Sequence, residues 1–307
     1  MHRFLKMKIT IIGAGAMGTL FAGILSKGGN DVCILTRNKK TEKILKKNGI
    51  RISGITKTTI PSSKLKITTD PAEICRPDLI IILVKSYDTI STVPSIKKMM
   101  GKNTVILTLQ NGLGNYEVFS EYFYKKTIIS GITSESSTLV KSGEIIHMGK
   151  GDTIIEKSDF SGQVADIFNE CGIKITLSSK IESVIWSKLV LNCAINPVAA
   201  ISGVRNGEII NYKNLFEVAV EAGKEVVTVA KKMKIKILFS DVAQRIKNIC
   251  LATSENTNSM LADILAKRKT EIDSLNGAVV KIAEKLKVPV PVNKSLYGII
   301  RKLEKSN

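Results

Sequence analysis

Lys188, Asn192 and Asn196 recur every fourth residue in an otherwise apolar stretch that runs from Trp186 to Pro197. Four residues turn a helix by about 400°, so the three polar groups form one slowly drifting stripe. A core helix gains nothing from an ammonium and two carboxamides on one face, and burying them unpaired is costly. Such a stripe lines something polar. The lysine can carry a proton, and each carboxamide can both donate and accept a hydrogen bond with a carboxylate or hydroxyl of a small substrate. The spacing also fits a polar helix–helix contact in which Lys188 reaches solvent along its apolar stem.

A second constellation supplies a partner for that chemistry. Gly13-Ala14-Gly15-Ala16-Met17-Gly18 matches GxGxxG, directly after a β-branched run over residues 8–12 and at the start of a helical pattern. The first glycine allows a tight turn, the second lets a pyrophosphate approach the backbone, and the third lets helix and strand pack closely. Dinucleotide binding is expected here. The second strand ends in Thr36-Arg37-Asn38, with no carboxylate for a ribose 2′-hydroxyl. Arg37 is a planar cation suited to a 2′-phosphate, so NADPH is expected over NADH; a solvated surface arginine is the plainer alternative. Lys85 and Asn111 follow two further strand ends, where ligands of open α/β sheets bind, although each also fits an ordinary surface or turn position.

A nicotinamide reductase acting on a ketone needs an acid to protonate the oxygen. The chain has only two histidines, His2 and His147, and His147 is expected to be structural. The acid is therefore expected to be a lysine or a tyrosine, and Lys188 is the lysine already placed on a polar stripe; a lysine shielded from water titrates lower. Further on, Asn256 and Ser259 share a helical face in Glu255–Met260, and Lys269–Asp273 reads as the opening of another helix, with acids in its first turn.

The elements that must position these residues fall into two blocks. Residues 8 to about 178 alternate strands and helices. Apolar runs over 79–84, 104–109 and 127–133 read as strands buried on both faces of a parallel sheet. The expected fold is α/β: an N-terminal Rossmann-like dinucleotide-binding domain over 1–179, ending in a hairpin around Gly143, followed by an all-helical domain over 180–307. Helices are expected over 181–196, 212–233, 239–252, 256–267, 270–287 and 292–303.

Composition narrows the class. The 307 residues are 44% hydrophobic, which excludes disorder, and the longest apolar runs read as too short to span a bilayer. The basic start of the chain lacks the apolar region of a signal peptide, and translation is expected to begin at Met1 or Met7. Cys33, Cys75, Cys171, Cys193 and Cys250 are odd in number and widely spaced, which points to a reducing cytoplasm without disulfides or a metal site. The formal charge of +19 comes from scattered lysines, so solvated faces are favoured over nucleic-acid binding. The excess charge can still steer an anionic ligand.

The segments MKITIIGAGAMG from Met7, LQNGLG from Leu109, WSKLVLNCAINP from Trp186, RNGE from Arg205, ENTNSM from Glu255 and KTEIDSLNG from Lys269 occur in this order. With them the chain resembles the ketopantoate reductase (2-dehydropantoate 2-reductase) family along nearly its whole length. The resemblance implies NADPH-dependent reduction of 2-dehydropantoate to (R)-pantoate, in pantothenate and coenzyme A synthesis. It implies Lys188 as proton donor and Glu271 as a functional glutamate near cofactor and lysine. Asn192, Asn196, Asn206 and Ser259 match substrate contacts, Ser259 holding the carboxylate. Asn111 matches a residue reaching both nicotinamide and substrate. Arg37 and Lys85 match positions near the ribose phosphate, and Ser137 falls where the family has a small cofactor-touching residue, though with altered spacing. The expected partner is a small 2-oxo acid, without nucleic acid or membrane, acted on by a monomer or homodimer. A related reductase of another 2-oxo or 3-hydroxy acid, or a non-catalytic nucleotide-binding protein, remains the alternative.

Overall fold

The computed structural model describes residues 6–306; the basic residues before them, His2 included, lie outside the described residues. The chain divides into two compact units. One takes the chain up to Gln110 and Asn115–Ile181, and the other takes Asn111–Gly114 and everything from Glu182 onward.

In the first unit, chain order gives β1 (Lys8–Ile12), α1 (Ala16–Lys27), β2 (Asp31–Leu35), α2 (Lys39–Asn48), β3 (Ile50–Gly54), β4 (Thr58–Ile60), β5 (Leu65–Thr68) and β6 (Leu79–Ile82). Then come α3 (Thr89–Met99), β7 (Val105–Thr108), α4 (Asn115–Tyr122), β8 (Ile128–Thr133), β9 (Ser136–Lys141), β10 (Glu144–Gly149), β11 (Thr153–Glu156), α5 (Ser161–Glu170) and β12 (Ile175–Ser178). Eight strands form one sheet in the order β12-β11-β8-β7-β6-β1-β2-β5, parallel apart from the antiparallel β8–β11 pair. Alternate residues of β6 enter different cores: Leu79 and Ile81 pack with α1, while Ile80 and Ile82 pack with α3. That two-sided burial is why these strands are continuously apolar. β1 lies between β2 and β6, which makes the end of β1 the switch point of the sheet.

The hairpin around Gly143 is present as β9 and β10, but it does not end the unit. It joins β3 and β4 in a separate four-stranded sheet, β4-β3-β10-β9, and the chain then returns to the main sheet as β11. Ile50, Ile52 and Ile145 of this small sheet share a core with Leu20 and Phe21 of α1. Burying each of those two α1 side chains contributes roughly 2–3 kcal/mol to holding the helix in place. His147 is buried in β10, its ring nitrogens 2.7 Å from Glu135 Oε2 and 2.9 Å from Thr56 Oγ1.

The second unit is helical: α6 (Ile181–Ser202), α7 (Lys213–Lys232), α8 (Val242–Ala252), α9 (Ser259–Leu265), α10 (Asn276–Leu286) and α11 (Pro291–Ser306). Four sequence expectations need correction. First, α6 does not stop at Asn196 but runs through Pro197, because Val198, Ala199 and Ala200 are buried in the core and offset the roughly 3 kcal/mol of an interior proline. By length and composition this helix could cross a membrane, contrary to the expectation of short apolar runs; most of it is buried in the unit's own core.

Second, α8 starts at Val242 because Asp241 caps it, accepting from Gln244 N–H at 2.8 Å. Third, α9 starts at Ser259 because Asn258 caps it, accepting from the N–H groups of Met260 and Leu261. Asn256 therefore lies in the preceding turn and does not share a helical face with Ser259. Fourth, Lys269–Asp273 does not open a helix. The Thr270 N–H and hydroxyl both donate to Glu304 Oε1 at 2.7 Å, and Ser274 Oγ donates to the Glu271 carbonyl at 3.0 Å. These bonds hold residues 270–275 as an irregular turn, and α10 begins only at Asn276.

Candidate active site

The glycine loop shows what each position requires. Gly13 has φ +111°, a conformation L side chains rarely adopt, and its N–H donates to the Leu35 carbonyl. A Cβ on Gly18 would lie 1.8 Å from the Gly13 carbonyl oxygen, so this position must be bare for α1 to start against the turn. Gly15 differs: a Cβ there would meet nothing within 4 Å, so the space it opens belongs to whatever approaches from outside. No side chain caps α1 at Gly15, and no acid lies in its first turn. Bare backbone, open space and a positive dipole end fit a pyrophosphate. Ala14, Ala16 and Met17 complete the loop, and Ser137 of β9 donates to Met17 Sδ at 3.3 Å.

Around this loop the structure places two cations. Arg37 is exposed after β2 and paired with Asp88 Oδ1 at 2.7 Å. Lys85 is half-buried at the start of the short turn Ser86–Asp88, where the Asp88 N–H donates to the Lys85 carbonyl. Asp88 was not singled out in the sequence, and no local signal marks it. Gln110 is another such residue: its amide donates to the Val84 carbonyl at 3.0 Å and Thr89 Oγ1 at 2.8 Å, fixing the end of β7 against that of β6.

In the second unit, the stripe on α6 is the open face of a buried helix. Lys188, Asn192 and Asn196 are each half-buried, whereas Leu189, Val190, Cys193, Ala194 and Ile195 are buried. Lys188 Nζ donates to Asn111 Oδ1 at 2.9 Å. Asn111 is held by its neighbours: the Leu113 N–H donates to the Ser274 carbonyl at 2.9 Å, and a Cβ on Gly112 would lie 2.5 Å from that same oxygen. The segment Asn111–Gly114 is thus clamped to the turn that carries Glu271, which is buried. Burial pushes Lys188 down from the ordinary lysine value to about 8, and the Glu271 carboxylate opposes that shift. At neutral pH the group is a protonated acid close to its titration point, a poise suited to proton transfer.

The remaining predicted substrate residues lie around α9. Ser259 is exposed at its first position. Asn206 is buried in a short 3-10 segment, where its amide donates to Thr253 Oγ1 and its oxygen accepts from Asn258 Nδ2, both at 3.0 Å. The structure therefore brings Lys188, Asn111 and Glu271 together directly, and ties Asn206 to the residue that caps the Ser259 helix. An open hollow of about 520 Å³ beside this segment is lined by Arg205, Glu208, Asn211, Leu251 and Glu255, and by none of the stripe residues.

A phosphate-binding loop at the switch point of a parallel sheet, in one chain with a helical unit presenting a desolvated lysine, defines a dinucleotide-dependent oxidoreductase. Two family patterns match the chain: Ketopantoate reductase PanE/ApbA over residues 9–159, and Ketopantoate reductase PanE/ApbA C terminal over residues 180–304. The chain belongs to the ketopantoate reductase family. It is 37% identical over 306 residues to the 2-dehydropantoate 2-reductase of Pyrococcus abyssi, covering 96% of this chain and 97% of that protein. It is 32% identical over 302 residues to that of Archaeoglobus fulgidus, covering 97% and 98%. Among solved structures, a PanE/ApbA family ketopantoate reductase from Ralstonia eutropha superposes with a TM-score of 0.90 at 27% identity, covering 98% of this chain and 99% of that one. A D-mandelate dehydrogenase solved with NADH and anilino(oxo)acetate superposes with a TM-score of 0.91 at 25% identity, with the same coverage.

Proposed function

We propose that the protein reduces 2-dehydropantoate to (R)-pantoate with NADPH, in pantothenate and coenzyme A synthesis. The observation that carries the reading is Lys188: an ammonium desolvated to a pKa of about 8, held by Asn111 and set in the field of Glu271. When bound, the reduced nicotinamide supplies the hydride. Lys188 gives its proton to the ketone oxygen and stabilises the charge developing there. Asn111 fixes the ammonium by accepting one of its hydrogens. Asn192 and Asn196 hold the substrate's polar groups, with Ser259 on its carboxylate and Asn206 supporting the Ser259 helix through Asn258. The Glu271 carboxylate favours the protonated form of Lys188 near neutral pH, and the proton spent on the ketone oxygen is regained from solvent.

The backbone of Gly13–Gly18 would hold the pyrophosphate, with Ser137 beside the loop. Arg37 and Lys85 would hold the 2′-phosphate end, and the lack of a carboxylate after β2 supports NADPH over NADH. Five unpaired thiols support a reducing cytoplasm as the place of action.

The structural likeness to D-mandelate dehydrogenase supports a second reading, reduction of another 2-oxo acid with a bulkier tail. One experiment tests both: NADPH and NADH oxidation followed with 2-dehydropantoate and a panel of aliphatic and aromatic 2-oxo acids. Preference for 2-dehydropantoate with NADPH is expected. Preference for an aromatic acid would establish the second reading, and reduction of no acid would defeat both.

A further inference from the structure

We propose that Asn276 is a positioning residue: it uses the backbone carbonyl that Pro197 leaves without its helical donor to hold the Glu271 turn in register with Lys188. Pro197 lies inside α6 and has no N–H, so the carbonyl four residues earlier, that of Cys193, loses its intrahelical partner. Asn276 Nδ2 donates to this carbonyl at 3.0 Å. Its second hydrogen goes to Asn293 Oδ1 at 2.9 Å. Asn293 in turn donates to the Ala222 carbonyl at 2.9 Å and to Glu225 Oε2 at 2.7 Å, and the Glu225 carboxylate accepts the N–H groups of Val292 and Asn293 at 2.8 Å. Two buried amides thus join α6, α7, α10 and the start of α11.

Three observations give this junction a role beyond packing. Asn276 and Asn293 are wholly buried. Asn276 Oδ1 is buried without a partner, which costs free energy that a leucine of similar size would not incur, so the amide is kept for its donors. Its place in the chain is also specific. Asn276 is the first residue of α10, directly after the turn carrying Glu271, and the carbonyl it grips lies between Asn192 and Asn196 on α6. Glu271 acts on Lys188 through its field, which weakens as the separation grows. A loosened turn would therefore leave Lys188 with a lower titration midpoint and a poorer geometry for proton transfer.

This inference rests on Lys188 as the proton donor, and its test includes a readout that needs no turnover. The side-chain titration of Lys188 is followed by NMR in lysine-labelled protein, assigned with Lys188→Arg. In Asn276→Leu the midpoint is expected to fall by about half a pH unit or more. In the same variant kcat falls roughly tenfold or more while KM for NADPH stays unchanged, since the glycine loop is untouched. Pro197→Ala leaves Asn276 in place but offers the Cys193 carbonyl a helical N–H; a smaller shift in the same direction is expected. Should Asn276→Leu fold with a lower melting temperature but keep the parental midpoint and kcat, the proposal is overturned. If that variant does not fold, Pro197→Ala decides, and an unchanged midpoint there overturns it. Parent protein that titrates as described yet reduces no 2-oxo acid would count against the proposed function alone.

Discussion

The two units commit different parts of the chain to chemistry. The first presents backbone: bare glycines, an uncapped helix end and a strand terminus. The second presents side chains, and Lys188 and Asn206 are placed by contacts from distant segments. Gly15 has nothing near it, whereas Asn111 and Glu271 are brought to Lys188 across 77 and 83 residues of sequence. Backbone recognition is set by local conformation and survives most side-chain changes around it. Side-chain chemistry depends on the whole packing of the helical unit.

Removing the side chain at the centre of the second unit gives the largest expected effect. Lys188→Ala should lower kcat by roughly 10²–10⁴-fold, the range for loss of a general acid, with NADPH affinity unchanged. Steady-state turnover and a fluorescence titration of NADPH measure the two separately. Near-parental turnover would remove Lys188 from the mechanism and break the division of labour between the units.

The first unit has its own counterpart, a pair of glycines three residues apart whose substitutions should act differently. Gly18→Ala puts a methyl 1.8 Å from the Gly13 carbonyl oxygen, so the loop must shift. A stability loss of roughly 1–3 kcal/mol is expected in thermal melts, together with weaker NADPH binding. Gly15→Ala meets no protein atom and should melt like the parent, yet bind NADPH more weakly, by roughly tenfold. Equal melting and equal affinity in Gly15→Ala would show that the open space is not the pyrophosphate's.

The same contrast sets what the sequence could reveal. The glycine loop, β1, β6 and the apolar strands are legible because their signals are local: a motif, a β-branched run, burial on two faces. The α6 stripe is legible from its period of four. The Glu271 turn is misread as a helix, because the group that holds it open, Glu304, lies 34 residues from Thr270. The pairing of β3 with β10 and the Arg37–Asp88 ion pair are equally non-local, the latter spanning 51 residues. Asn258 shows a boundary error of another kind: its capping preference was present in the sequence, but the helical period around it outweighed the signal. Asn276 carries no sign of its role until the partner of the Cys193 carbonyl is visible.

The pH profile sharpens the comparison further. Reduction uses the protonated lysine, so kcat should hold at neutral pH and fall about tenfold per unit above a midpoint near 8. Glu271 raises that midpoint, so in Glu271→Gln the falling limb should move to lower pH. A limb that stayed in place would show that the carboxylate does not act on Lys188. Neither the Gly15 nor the Gly18 substitution should move it, because burial and Glu271, which set the Lys188 midpoint, lie in the second unit.

Arg37 is, with Lys85, a point where the first unit is expected to rely on a side chain, and its effect should be the smallest. It is exposed and already paired with Asp88, so a 2′-phosphate must compete with a carboxylate 2.7 Å away. That competition limits the gain from the phosphate contact, since exposed ion pairs contribute only about 0–1 kcal/mol. Arg37→Ala should therefore raise KM for NADPH by up to about fivefold and leave KM for NADH nearly unchanged. Asp88→Asn frees the guanidinium and should shift the preference further toward NADPH. If both variants kept the parental ratio of NADPH to NADH efficiency, phosphate discrimination would lie with the backbone or Lys85, and the first unit would read its cofactor without Arg37.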